Sequence, residues 1–154
     1  MSRRALLTSL AVILLAGACG SNELSKEQYV EEVAPLLQQA TRDLGKFGIA
    51  ISRAPAPQLA ADRATRLRTA LEDTADRLEE LDAPSDIDAE HERLASALRG
   101  LSGEVAEIED ETEKPVAEYS RLESFYDELI SSEPARELGE TVRALERSGY
   151  DVSS

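Results

Sequence analysis

Apolar residues in this chain recur at alternating steps of three and four along one stretch after another. Val30, Val33, Leu37, Ala40, Leu44, Phe47 and Ile51 form a first seam. Ala60, Ala64, Leu67, Leu71, Thr74, Leu78 and Leu81 form a second. Ile87, His91, Leu94, Leu98, Leu101, Val105, Ile108 and Thr112 form a third. Such a rhythm gathers the apolar side chains into one stripe on an α-helix, and the stripe has to be covered by neighbouring helices. Nowhere does the alternation of apolar and polar residues that marks a half-buried strand persist. The pattern predicts an all-α protein, an antiparallel helical bundle of about four helices. The seams share a period but no sequence, so they are not a repeat. They suit pairing between chains, as in a coiled coil, as well as pairing within one.

Local signals place the helix ends. Ser25-Lys26-Glu27-Gln28 has the spacing of a capping box and starts helix 1. Pro35 lies inside that helix and is expected to kink it. Arg53-Ala54-Pro55-Ala56-Pro57 breaks the chain, because each proline disfavours helix in the residue before it. Helix 2 runs from there to about Asp82, with Asp62–Arg66 and Asp73–Arg77 spaced for ion pairing. Pro84 makes a tight connection, with Ser85 or Asp86 as the next N-cap. After Thr112 a break is expected at Pro115, since an unbroken helix of about 45 residues would overhang its partners by two to four turns. One long helix kinked at Pro115 is the alternative. The last helix is expected to be broken near Pro134, and Gly149 suits its C-cap.

The first nineteen residues read differently. Arg3 and Arg4 precede an apolar run from Ala5 to Ala16 that only Thr8 and Ser9 interrupt, and Ala16-Gly17-Ala18 are small. That order is the order of a bacterial export signal. The run is shorter than the roughly 20 residues a membrane-spanning helix needs. Cys19 follows at once and is the single cysteine of the chain. It has no intramolecular partner in the oxidising exterior to which an export signal leads.

Through Leu15-Ala16-Gly17-Ala18-Cys19 the chain resembles the bacterial lipoproteins. The resemblance covers about the first twenty residues, and Ala16 stands where the commonest form of the motif has leucine. It implies cleavage between Ala18 and Cys19, diacylglycerol on the Cys19 sulfur, and acylation (palmitate, for example) of the new α-amine. Residues 1–18 are then a removed signal peptide, and 19–24 the lipidated cysteine with a polar tether. Residues 25–149 are the bundle and 150–154 a flexible tail. Two or more acyl chains hold a protein stably on a bilayer. The protein is expected at the cell membrane on its extracytoplasmic face. Leu78-x-x-Leu81-x-Ala83-Pro84, followed by His91-x-x-Leu94, Leu98 and Leu101, also resembles small lipoproteins of unknown role from high-GC Gram-positive bacteria. That second resemblance implies an exported helical bundle and assigns no site residues.

Charge narrows the partners. The leader holds two of the 17 basic residues and none of the 31 acidic ones, so its removal takes the formal charge from −14 to −16. Nucleic acid is not expected as a partner, since phosphates are held by clustered Lys and Arg. An unknown protein partner is expected instead, besides the membrane reached through the lipid on Cys19. His91 is the single histidine, and Asp88 stands three residues before it on the same helix face. This pair is the candidate ligand-binding site. The carboxylate-x-x-His spacing resembles half of a di-iron motif, but that site needs a second histidine. Neither a metal nor another cofactor is expected. Glu104, Glu107 and Glu111 make one carboxylate face, and hard cations favour such oxygens. The pattern of a calcium loop is absent from the sequence. No Gly-x-Ser-x-Gly elbow and no phosphate-binding glycine loop occurs either, so no enzyme is expected. The reading is a non-catalytic binding or scaffolding bundle at the cell envelope. The alternative is a carrier of a small ligand or metal, using the bundle interior near His91 or the acidic face from Glu104 to Glu111.

Overall fold

In a computed structural model, which describes residues 23–52, 57–112 and 119–153, the seams become five helices. These are α1 (Lys26–Ser52), α2 (Pro57–Glu79), α3 (Asp88–Thr112), α4 (Tyr119–Ser131) and α5 (Glu133–Arg147). The protein is all-α, and no strand occurs among the described residues.

The helix starts follow the local chemistry. Gln28 N–H donates to Ser25 Oγ at 3.2 Å, and Ser25 N–H donates to Gln28 Oε1 at 2.9 Å. Two backbone donors that the first turn leaves free are thus satisfied reciprocally. The Ser132 hydroxyl accepts from Ala135 N–H at the head of α5, with Pro134 in the first turn. That is the break expected near Pro134. α1 runs through Pro35 as one helix, with the proline ring on its exposed side. α3 begins one or two residues later than expected. Its first-turn capping by Ser85 or Asp86 is not observed, and the Asp86 carboxylate accepts the Tyr150 hydroxyl at 2.8 Å. The expected Asp62–Arg66 and Asp73–Arg77 pairs do not form.

Packing runs along the seams. The seven seam residues of α3 and Ile87 just before it are all buried, with Leu94, Leu98 and Val105 showing no exposed surface. Leu71 and Leu78 meet them from α2. Burying a leucine of this kind contributes about 1.5–3 kcal/mol. Ion pairs give the direction of the two helices. Arg99 bonds Glu79 and Asp76, each at 2.7 Å, whereas Arg68 reaches Glu109 at 3.0 Å. Early α3 therefore meets late α2, and the helices run antiparallel. Hydroxyls on the buried faces turn back to their own helix: Thr74 to Ala70 O, Ser102 to Arg99 O and Thr112 to Glu109 O. Among the described residues, no buried side-chain nitrogen or oxygen lacks a partner.

Residues 113–118, with Pro115, lie outside the described residues. Phe125, Glu128 and Leu129 line one groove with Glu104, Glu107 and Glu111. On a single straight helix Leu129 would sit about 37 Å beyond Glu104. α4 therefore lies back alongside α3. α4 also lies against α1, where Gly48 makes room: a Cβ there would overlap the Tyr126 ring.

The flexible tail expected from residue 150 onwards is a correction. Tyr150 is 3 % exposed and Val152 is fully buried. Gly149 takes φ +85° after α5, the left-handed conformation a glycine tolerates best. Tyr150 N–H then bonds Leu145 O at 2.9 Å, and Gly149 N–H bonds Glu146 O at 2.8 Å. That double bond pattern turns the chain back on itself and drives Tyr150 into the core.

Candidate functional site

Cys19 and Ala18, the expected lipidation and cleavage positions, lie outside the described residues. The nearest described backbone contact is Leu24 N–H to Asp82 O at 2.8 Å, which ties the start of the bundle to the α2–α3 turn.

His91 lies one turn into α3, and its surroundings come from three parts of the chain. The capping box sets Tyr29 in the first turn of α1, the Pro84 turn delivers the head of α3, and Gly149 delivers Tyr150. Tyr29 Oη lies 3.1 Å from His91 Nδ1. The Tyr29 ring meets the His91 ring edge to face at 5.6 Å and the Tyr150 ring edge to face at 5.6 Å. Tyr150 Oη donates to Asp86. Lys26 Nζ stands 4.9 Å over the Tyr150 ring and donates to Ser148 O at 3.3 Å. A buried polar joint thus closes the end of the bundle where α1 begins, α2 meets α3 and the chain finishes.

Electrostatics follow from burial. Removal from water pushes the His91 pKa below its ordinary value, although the Leu78 backbone and the charges of Asp88 and Glu92 oppose this. Burial raises the Tyr29 hydroxyl far above its usual range, and the neighbouring Tyr150 adds to the effect. Tyr150 is pushed up to about 12 by burial and by its bond to the Asp86 carboxylate. Asp88 is exposed and acts on His91 through charge. The two proposed ligands thus share a helix face but not an environment. The imidazole is 7 % exposed with Nδ1 engaged by Tyr29, which suits a structural joint more than a metal or substrate ligand.

The acidic face has open volume. A groove of about 390 Å³ lies between α3 and α4, with Glu104, Glu107, Asp110, Glu111 and Glu128 on its walls. Ile108, Phe125 and Leu129 supply its apolar lining. Among the described residues, no three His, Cys, Asp or Glu side chains are placed to hold a metal ion together.

No protein-family model, curated protein or solved structure matches this chain. The reading of the site therefore rests on its geometry.

Sequence reasoning found His91 but missed Tyr29 and Tyr150. Tyr29 stands one turn before Val33 on the buried face, where the expected seam had Val30, and it was legible through the capping box, which sets it one turn from the helix start. Tyr150 was legible through Gly149, because the residue after a glycine C-cap commonly packs back on the helix it ends.

Proposed function

We propose that this protein is a bacterial lipoprotein: cleaved before Cys19, anchored to the cell membrane by lipid on that cysteine, and carrying a non-catalytic helical bundle on the extracytoplasmic face. Counted with α4 and α5 as one helix broken at Pro134, the domain is the antiparallel four-helix bundle. Its role in this reading is binding or scaffolding at the cell envelope, with a protein as partner. The observation that carries the reading is the position of the single cysteine, directly after an apolar run that ends in Ala16-Gly17-Ala18.

The geometry is compatible with this. Among the described residues no helix is long and apolar enough to cross a membrane. From Cys19 to Leu24 the chain extends at most about 18 Å, and Leu24 is tied to Asp82. The end of the bundle that holds Tyr29, His91 and Tyr150 is then the end kept near the bilayer. The acidic groove, toward the far end of α3, faces the envelope space. With a net charge of −16 the mature chain is repelled by anionic lipid, so it stands off the surface.

The test is Cys19→Ala in the native host, with labelled palmitate and mass spectrometry of the N-terminal peptide. The native chain should take up label and begin at a modified Cys19. The variant should take up none and keep its leader. Label retained by the variant would sink the assignment.

A second reading is a small-ligand or metal carrier. The groove beside Glu104–Glu111 favours that face over the His91 interior, where the ring already has its partners. Native mass spectrometry of the protein from its own host tests this: added mass that is lost in a Glu104→Gln/Glu107→Gln variant would make carriage the leading role.

A further inference from the structure

A second groove, of about 200 Å³, lies between α1 and α2. Its floor is apolar: Phe47 and Leu67 are each 3 % exposed, and Ala70 lies beside them. Its rim carries Lys46 from α1 and Arg63 and Arg66 from α2, with Asp43 as the single carboxylate in the lining. That balance is unusual for this molecule, in which acidic side chains outnumber basic ones 31 to 17.

Of the rim cations Lys46 is paired with Asp43 at 3.0 Å, whereas the two arginines have no partner among the described residues. Asp43 accepts from Gln39 at 2.6 Å and from Lys46 at 3.0 Å. Burial pushes its carboxyl up, but these bonds outweigh that and hold it below its usual range. Among the described residues Arg63 and Arg66 take part in no ion pair and no side-chain hydrogen bond, although Asp62 lies one turn from Arg66. Arg68, Arg93, Arg99 and Arg136 are all paired. At a spacing of three, Arg63 and Arg66 stand on one helix face. Apolar surface continues past the rim. Ile49, one turn beyond Lys46, is 57 % exposed, and Leu59, one turn before Arg63, is 41 % exposed.

We propose that this groove binds a small amphipathic anion. Its carboxylate or phosphate head is held by Arg63 and Arg66, with Lys46 adding charge, and its hydrocarbon body lies on Phe47 and Leu67. The planar guanidinium fork matches such heads in bidentate fashion. A free anion in water gains little from an exposed arginine. An apolar floor beside the arginines excludes water on one side, and the gain of about 25 cal/mol per Å² covered comes from the hydrocarbon's own surface, since Phe47 and Leu67 have little left to cover. The volume is below the roughly 300–1,000 Å³ of pockets for drug-sized molecules, so a short chain fits better than a whole lipid. The groove does not depend on the lipid anchor, so the two proposals fail separately.

The experiment is calorimetric titration of the full chain purified from its own host, held in phosphatidylcholine nanodiscs with empty discs as the blank if it carries lipid, and in plain buffer if it does not. Sodium octanoate and inorganic phosphate are the probes. Octanoate is expected to bind saturably and at least tenfold more tightly than phosphate. Arg63→Gln/Arg66→Gln is expected to weaken octanoate at least tenfold with an unchanged circular dichroism spectrum, since both side chains are unpaired. Phosphatidylglycerol vesicles added to the solution separate the sources, since the groove lies at the end of the bundle away from its own bilayer. An octanoate affinity unchanged by the vesicles marks a free anion as the occupant, and a weakened one marks a lipid headgroup; both uphold the site. Absence of saturable octanoate binding, an affinity indifferent to the double substitution, or phosphate binding as tight as octanoate overturns it.

Discussion

Tyr29 has no exposed surface, yet its hydroxyl is satisfied by a ring that is itself buried. The pair is stable because the imidazole is neutral, and this makes the joint sensitive to pH. The folded ring takes up a proton at lower pH than an unfolded histidine, which titrates near 6.5. Well above pH 6.5 neither state is protonated and the full contribution is present. As pH falls through about 6.5 towards the depressed folded value, the unfolded chain gains a proton that the folded chain resists, and stability is lost. The carboxylates of Asp43, Glu79 and Glu109 are all held below their ordinary range, so their contribution starts to fade only below about pH 4.5. The interval from about 6.5 to 5 therefore belongs to His91. Denaturant melts at pH 7 and pH 5.5 should show the native protein losing up to about 1.4 kcal/mol per pH unit, the limit for one proton. His91→Gln should flatten that slope while lowering stability at both pH values. An equally steep loss in the variant would place the effect elsewhere.

Among the elements, α3 is the one to which the others refer, and two of its glycines three residues apart meet opposite surroundings. A Cβ at Gly103 would meet nothing within 4 Å, whereas one at Gly100 would lie 2.8 Å from the Pro134 ring. The ring is stiff and belongs to the first turn of α5, so the helices themselves would have to part. Gly103→Ala should stabilise the protein by about 0.5–1 kcal/mol through helix propensity alone. Gly100→Ala should destabilise it, because overpacking costs about 1–3 kcal/mol and exceeds the same gain. Chemical denaturation of the two variants side by side checks this, and a stabilised Gly100→Ala would mean that α3 and α5 are less closely joined than described. The same contrast shows how far the sequence could be read. The seams of α2 and α3 were legible because burial there follows a strict period, and the starts of α1 and α5 because Ser25 and Ser132 use short-range chemistry. Tyr29 escaped because it and Val30 both fit a step of three or four to Val33, and the expected seam began at Val30, which is only half-buried. The groove of Lys46, Arg63 and Arg66 escaped because it exists only once α1 and α2 are packed side by side. The Pro115 region stayed open in sequence because a proline is compatible with both a kink and a new first turn. What the described helices add is that α4 lies back along α3, with Phe125 and Leu129 beside Glu104 and Glu107.

For the whole molecule the governing quantity is charge. Eight ion pairs are found among the described residues, and they lie at or near the surface. Pairs of that kind contribute about 0–1 kcal/mol each, and salt weakens them. Against them stands the mutual repulsion of 31 carboxylates, unbalanced by 14 charges in the chain and by 16 after loss of the leader. This repulsion opposes the compact state and is also weakened by salt. The two effects predict opposite responses. Added salt lowers stability if the pairs dominate and raises it if the repulsion does. Geometry favours the second outcome. Arg99 and Arg68 each serve two carboxylates, so the pairs engage few cations, and among the described residues only eight carboxylates appear in these ion pairs. The screening length shrinks from about 20–30 Å at low salt to a few ångströms near 1 M, shorter than most separations across the bundle. Raising sodium chloride from about 20 to 500 mM should therefore raise Tm by several degrees, the equivalent of about 1 kcal/mol in a domain of this size. Chloride is the suitable anion because sulfate would also strengthen apolar burial. A Tm that falls with sodium chloride would mean that the ion pairs joining α2 to α3 outweigh the net charge, and Arg99→Gln would then lower Tm at low salt but not at high salt.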